Sequence, residues 1–305
     1  MGSLTSVMYH YVAPKKSRFH KNLNFLPIEY FISQLNFLNK NFTIISPQEV
    51  KILIEKKKFS KNYMWLTFDD GYSDHVEYVL PELKKKNIKA SFFPVVNSLE
   101  KKSIIPANLI HLLLSKIKNK KKFFEEIIEF LNDRKVLQKE LKILKLKKNT
   151  SRFDDNANFK IKQLLQKDLP RKIRKDALEF FYKKYIDLPK NKIINRLYFG
   201  LRDAKEFIAE GHEIGMHTVN HPWLNSMNYD EQLIEIEENI NFFKKNKIFY
   251  KDITFCYPYG SYNKNTIQIL KKKSIKFGIT TVPKKFSTSM NSLEIPRFDT
   301  NDFSV

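Results

Sequence analysis

Apolar and polar positions divide the 305-residue chain into three stretches. In the first, short apolar runs alternate with segments of helical period. Residues 4–9 predict a strand that delivers Tyr9-His10-Tyr11 at its end, and the spacing of Phe31, Leu35 and Leu38 predicts a helix over 25–39. Residues 43–45 predict a brief strand. Ser46-Pro47-Gln48-Glu49 then supplies an N-cap, a proline at the first helical position and a capping-box glutamate, starting a helix that runs to residue 57. The run Tyr63, Met64, Trp65, Leu66, Thr67 and Phe68 reads as a buried strand that stops at Asp69-Asp70-Gly71. Residues 78–86 read as helix and 90–96 as another apolar strand. This order of strand, helix, strand, helix predicts parallel strands joined by crossover helices.

From residue 104 the alternation gives way to helical periods alone, as in Phe123, Ile127, Phe130 and Leu131, and no glycine occurs between Gly71 and Gly200. An all-helical insertion is the expectation. Alternation resumes with a helix over 203–210 ended by Gly211, a strand over 213–216 and then His217-Thr218-Val219-Asn220-His221-Pro222-Trp223. Asn228, with Glu231 three residues on, caps a helix whose apolar stripe is Leu233, Ile236, Ile240 and Phe243. A strand over 253–257 leads into Pro258-Tyr259-Gly260, a helix spans 264–272, a strand spans 277–281, and Leu293-Glu294-Ile295-Pro296-Arg297 follows.

Composition adds that the chain is globular, with 42% apolar residues and 14% aromatic ones. Its formal charge of +22 suits an anionic partner. The charge is uneven: residues 104–200 hold 25 Lys and Arg against 11 Asp and Glu, or +14 of the total. Solvated helix faces are the plainer reading of that excess, with an anion-binding surface as the alternative. Only eight of the 55 cations are arginine, which argues against a nucleic-acid reader. The single cysteine, Cys256, leaves no internal disulfide and no cysteine-based zinc site. The first residues carry no signal-peptide pattern, and no run reaches the roughly 18 apolar residues of a membrane span. A cytoplasmic protein, at most peripheral at the inner membrane face, is the expectation.

The unusual polar residues all follow predicted strands: His10, Asp69 with Asp70, His217 with His221, Tyr259, and Arg297 after a short apolar run. In parallel barrels the C-terminal strand ends share one face, where chemistry is assembled from several strands. Two adjacent carboxylates repel in a partly buried site unless a cation or a shared proton relieves them. His217 and His221 can converge on one ion, and Pro222 favours a strand end and tight turn over a helix there. An aspartate and two histidines without a thiolate suit a divalent metal, zinc first, with iron, cobalt and manganese open. One aspartate would bind the ion and the other act as base on water.

Thr67-Phe68-Asp69-Asp70-Gly71, His217-Thr218-Val219-Asn220-His221-Pro222 and Tyr257-Pro258-Tyr259-Gly260 resemble the first three motifs of the NodB-homology polysaccharide deacetylases, carbohydrate esterase family four. The resemblance covers residues 4–103 and 201–298. It implies a distorted (β/α)7-type parallel barrel with the helical insertion set into it. It further implies Asp69 as catalytic base, Asp70, His217 and His221 as metal ligands, and the backbone N–H of Tyr259 as oxyanion donor. Two features depart from the pattern. Cys256 stands where many members carry an arginine, so Arg297 is weighed equally as its replacement or as a surface residue. The usual Leu-x-His motif is absent, since no histidine follows His221. Members with permuted motifs, similar to the biofilm-polysaccharide deacetylases, draw the acid from the start of the barrel, which implies His10. His20, His75, His111 and His212 are expected to be structural or exposed, and Asp74 to cap the helix after the turn. Trp223 is open between a wall for a sugar and a core position.

The expected organisation is therefore a barrel in two parts, 1–103 and 201–305, flanking a basic helical insertion at 104–200. The expected activity is metal-dependent removal of an N-acetyl group from a sugar in a glycan or in a nucleotide- or lipid-linked precursor. The basic insertion is a candidate for contact with an anionic membrane surface. A deformylase or other amide hydrolase of the same fold, and a catalytically silent glycan- or nucleic-acid-binding protein, are the alternatives.

Overall fold

A computed structural model describes residues 2–134, 149, 152, 154–250 and 252–303. Ten strands occur among them: β1 (Ser3–Tyr9), β2 (Val12–Ala13), β3 (Leu26–Pro27), β4 (Thr43–Ile44), β5 (Asn62–Asp70), β6 (Ser91–Pro94), β7 (Glu213–Ile214), β8 (Thr254–Cys256), β9 (Phe277–Ile279) and β10 (Phe298–Asp299). The main sheet is parallel throughout, in the order β10-β1-β5-β6-β7, with β4 also pairing β5. The remaining barrel strands, β8 and β9, pair in parallel with each other. Two parallel bridges join the sheets, Met216 to Phe255 and Ile279 to Ile295. Since Ile295 leads into β10, and β10 pairs β1, the hydrogen bonding runs in a circuit. This is the distorted α/β barrel that the family resemblance implies, built from the parallel strands that the alternation predicts.

A buried parallel strand has one face toward the barrel interior and one toward the helices, so both sets of positions are apolar. In β5, Met64, Leu66 and Phe68 join the cluster packed against the helices, whereas Trp65 belongs to a second cluster with Leu4, Phe93, Cys256, Phe277, Ile279 and Ile295. The period of 2 makes the inward set of β5 continue through Thr67 to Asp69. The same alternation puts Glu213 and His217 on one side of the β7 segment and Ile214 and Met216 on the other. Gly215 is required here, because a Cβ would lie 2.2 Å from the Phe93 ring. Toward the start of the strands the interior holds a buried polar group. Glu213 accepts from Lys51 Nζ at 2.7 Å and from the N–H of Thr254 at 3.0 Å on one oxygen, and from Ser91 Oγ at 2.7 Å on the other.

The capping boxes at Ser46 and Asn228 form as the sequence predicts, starting the helices Pro47–Glu55 and Tyr229–Lys245. Asp74 does not cap. Ser73 and Asp74 are already helical, so Asp74 sits inside the helix rather than at its start, and its side chain makes no capping bond.

The chain forms two compact units. One comprises Met1–Ser17, Asn24–Ser103 and Asn191–Val305, and contains the barrel. The other comprises Arg18–Leu23 and Ile104–Lys190. It is helical, with Pro106–Lys116, Lys120–Asp133, Asn156–Lys162 and Arg171–Tyr185 as its α-helices among the described residues. Its core includes Phe123 edge-on to Phe181 at 5.0 Å. Residues 191–200, grouped by composition with the helical stretch, belong to the barrel unit. Phe199 donates its N–H to Gly71 O at 3.0 Å, and Tyr198 bridges Tyr72. No described helix is long and apolar enough to cross a membrane.

Candidate active site

The strand β5 runs through both aspartates, with Asp69 paired to Phe93 and Asp70 to Pro94. The expected stop before the carboxylates is thus displaced to Asp70, whose φ of 69° ends the alternation and turns its side chain independently of Asp69. Gly71 follows with φ 77°, and a Cβ there would meet Pro94 Cβ at 2.7 Å.

Asp70, His217 and His221 come together. Oδ1 of Asp70 lies 3.5 Å from Nε2 of His217 and 3.4 Å from Nε2 of His221, and all three side chains are buried. Their donor atoms lie within 4.8 Å of one another. Ligand atoms of a tetrahedral ion with bonds of 2.0–2.2 Å are about 3.4 Å apart, so the donor set fits a divalent cation. The remaining contacts orient the donors. Nδ1 of His217 donates to the carbonyl of Cys256 at 2.8 Å, which fixes the ring with Nε2 toward Asp70. Tyr72 donates its hydroxyl to Oδ2 of Asp70 at 2.5 Å, leaving Oδ1 to face the two histidines. Burial lowers the His221 pKa to about 3, against the pull of Asp70, and so keeps the imidazole neutral. Burial pushes the Asp70 carboxyl up, but the hydrogen bond from His217 outweighs it and holds the carboxyl well below the usual carboxylate range.

Asp69 meets a different partner. Arg297 is fully buried and donates from Nη1 to Oδ1 and from Nη2 to Oδ2 of Asp69, both at 2.8 Å. Its Nε donates to Thr280 O at 2.9 Å and its Nη1 also to Thr67 Oγ1 at 3.0 Å, so the guanidinium is fixed in orientation. Burial alone would raise the Asp69 pKa, but Arg297 outweighs it and holds the carboxyl at about 2. Cys256 Sγ lies 3.5 Å from Asp69 Oδ2 and 3.3 Å from Arg297 Nη2. The guanidinium absent at position 256 therefore reaches Asp69 from position 297.

His10 is half-buried just after β1, in the inward register of Leu4, and it lies close enough to Asp69, Asp70 and His221 for its charge to bear on theirs. Its carbonyl accepts from Nε2 of the buried His75 at 2.9 Å. Tyr259 has a φ of 58° inside the turn Pro258–Gly260. Its ring stands edge-on to His221 at 4.5 Å and stacks on Trp223 at 4.4 Å with the planes 5° apart. Trp223 is half-buried beside the site rather than in the core. His20, His75 and His212 are buried, and none of them is among the clustered donor atoms of the described residues.

Sequence reasoning missed Tyr72 as a partner of Asp70, although its place directly after Asp69-Asp70-Gly71 was a signal. It also missed Glu235 and Asn239, buried polar residues on a helix read only for its apolar stripe.

A family model described as polysaccharide deacetylase matches residues 56–133 and 175–278, more than half of the chain. The chain belongs to the polysaccharide deacetylase family. The Bacillus subtilis (strain 168) protein named "Putative polysaccharide deacetylase YxkH" is 30% identical over 98 residues, a segment spanning 32% of this chain and 33% of that one. Among solved structures, the Streptococcus pyogenes deacetylase PplD in complex with acetate aligns over 97% of this chain and 92% of its own, with a TM-score of 0.62 and 20% identity. IcaB from Ammonifex degensii aligns over 98% and 91%, with a TM-score of 0.58 and 15% identity. The BpsB deacetylase domain from Bordetella bronchiseptica aligns over 97% and 95%, with a TM-score of 0.55 and 12% identity. These structures share the fold of this chain.

Proposed function

We propose that the chain is a metal-dependent hydrolase that removes the acetyl group from an N-acetylated sugar in a glycan or glycan precursor. The observation that carries this reading is the convergence of Asp70, His217 and His221 beside a second carboxylate, Asp69, kept ionised and oriented by Arg297. A divalent ion held by the first three, zinc by the chemistry of the donors, would supply Lewis acidity to water and to the acetyl carbonyl. Asp69 accepts a proton as the water oxygen adds to the carbonyl carbon. The N–H of Tyr259 donates to the carbonyl oxygen as it gains charge. His10 protonates the nitrogen as the C–N bond breaks, giving acetate and a free amine. A carboxylate held at about 2 is a weak base, so Arg297 contributes orientation and constant ionisation rather than basicity. Asp69→Asn is expected to bind zinc and lose turnover, whereas His217→Ala loses both. Turnover retained by Asp69→Asn removes the base from this scheme.

Acetate rather than formate is the product expected, which separates deacetylation from deformylation on the same fold. We also assign the +14 stretch 104–200 to an anionic partner, either the phosphate of a nucleotide or lipid carrier or an anionic membrane surface. Salt-sensitive binding to vesicles containing an anionic lipid supports the membrane arm, and weak, salt-insensitive binding contradicts it.

A further inference from the structure

The loop between the two histidines has an unfavourable backbone. Thr218 and His221 have φ of 64° and 56°. The left-handed region costs a non-glycine residue about 1–2 kcal/mol and is rare for a β-branched one. Such conformations persist where the surroundings over-determine them. Here the surroundings are chiefly one helix, Tyr229–Lys245.

Three consecutive backbone N–H groups of the loop point at two side chains of that helix. Asn239 Oδ1 accepts from Thr218 at 2.9 Å. Glu235 Oε1 accepts from Val219 at 2.8 Å and from Asn220 at 2.6 Å, and its Oε2 accepts from Asn220 Nδ2 at 2.9 Å. Residues four apart lie one above the other on a helix face, so one turn supplies both acceptors at the rise the loop needs. Glu235 is 4% exposed and Asn239 fully buried. The carbonyls of Thr218 and Val219 accept from the N–H groups of Val96 and Asn97 at 3.1 and 3.2 Å, so the loop is gripped from both sides. Thr218 Oγ1 accepts the N–H of His221 at 3.0 Å and closes the turn. Helix stability alone does not call for a buried carboxylate at position 235. The loop does, since a carboxylate can accept all three donors in charge-assisted hydrogen bonds.

We propose that Glu235 and Asn239 are positioning residues for the ion: they hold the loop 217–221 in the conformation that points Nε2 of both histidines at Asp70 Oδ1. This assignment rests on the metal reading above. It places part of the zinc affinity in a helix that contributes no ligand.

The test compares zinc affinity, by competition with a chromogenic chelator, with the melting temperature of the metal-free protein. Glu235→Gln removes the charge and sets an amide NH2 against the side-chain amide of Asn220, and Asn239→Ala removes the acceptor of Thr218 while keeping the carboxylate. Each is expected to weaken zinc binding roughly 10- to 100-fold, as loss of an orienting partner does. Asn228→Ala removes the helix cap at the other end of the same face, where Oδ1 accepts from Glu231 N at 2.9 Å. It is expected to lower the melting temperature and leave zinc affinity within about twofold of the wild type. Unchanged affinity in Glu235→Gln and Asn239→Ala overturns the assignment. So does an equal loss in Asn228→Ala, which would make the effect one of helix stability. Should Glu235→Gln not fold, Asn239→Ala decides alone. A wild-type protein that takes up no zinc overturns the metal reading itself, a result distinct from the other two.

Discussion

Arg297→Met isolates the electrostatic centre of the account. The guanidinium is fully buried and neutralises Asp69 through two bonds of 2.8 Å, and Asp69 is 3% exposed. Methionine fills most of the volume and leaves the carboxylate buried without its counter-charge. Breaking one side of a buried pair costs about 3–5 kcal/mol. At about 2–4 °C per kcal/mol for large single domains, the melting temperature should fall on the order of 10 °C. The sign of the pH dependence follows from the depressed pKa of Asp69, about 2 in the folded chain. The stabilisation from the pair is fully present above the unfolded pKa of about 3.9 and is lost as pH falls through that value toward 2. The deficit of Arg297→Met should therefore be largest at neutral pH and shrink in acid. Asp69→Asn combined with Arg297→Met removes both charges and should recover most of the loss, a coupling that a double-mutant cycle measures directly. Thermal unfolding of metal-free protein is the assay, so that zinc binding does not enter. A melting temperature for Arg297→Met within about 2 °C of the wild type would refute the reasoning, as would a double variant no more stable than Arg297→Met alone.

Three further outcomes are expected. Tyr72→Phe, which takes the hydroxyl from Asp70 Oδ2, should weaken zinc binding about tenfold in a chelator competition, with little change in metal-free stability. Lys51→Met strands the buried Glu213 and should cost about 3–5 kcal/mol in denaturant unfolding at pH 7, recovered in part when Glu213→Gln is added. Burial lowers the His212 pKa to about 4, and its Nδ1 accepts the N–H of Ala90 at 3.1 Å, a bond that protonation of that nitrogen would break. The unfolded chain takes up this proton near 6.5 and the native chain only near 4. Stability of metal-free protein should thus decline as pH falls from about 6.5 to 4, by at most about 3 kcal/mol from this residue. His212→Asn, which keeps an acceptor, should flatten that decline; an unaltered profile would show that His212 does not cause it.

The parallel strands were legible because the buried ones are short apolar runs, and because Gly71, Gly211 and the two capping boxes punctuate the chain where elements end; their closure into a barrel came from the family resemblance. Asp69, Asp70, His217 and His221 could be picked out because several costly polar residues follow strands in the same way. The partners of these residues could not. Arg297 reaches Asp69 across 228 positions of sequence, and nothing local distinguishes it from a surface arginine. Glu235 and Asn239 lie on the same buried face as the apolar residues Ile236, Ile240 and Phe243, and nothing in the spacing shows that a loop would meet them there. Asp74 failed as a cap because the helix already includes Ser73 and Asp74, which leaves the aspartate inside it rather than at its start. The limit at residue 200 was blurred, since the segment 191–200 is helical in composition but is tied to Gly71 and Tyr72 of the barrel unit.

The central claim is that Asp69 acts on water beside an ion held by Asp70, His217 and His221. Its most direct test is acetate release from N-acetylated amino-sugar oligomers and their nucleotide- and lipid-linked forms, read by mass spectrometry as loss of one acetyl. Wild type, Asp69→Asn and His217→Ala are compared before and after zinc is stripped and restored. The account predicts release by the wild type only with zinc present, none from either variant, and stoichiometric zinc in Asp69→Asn. Acetate release that survives zinc removal, or that persists in Asp69→Asn, would contradict it.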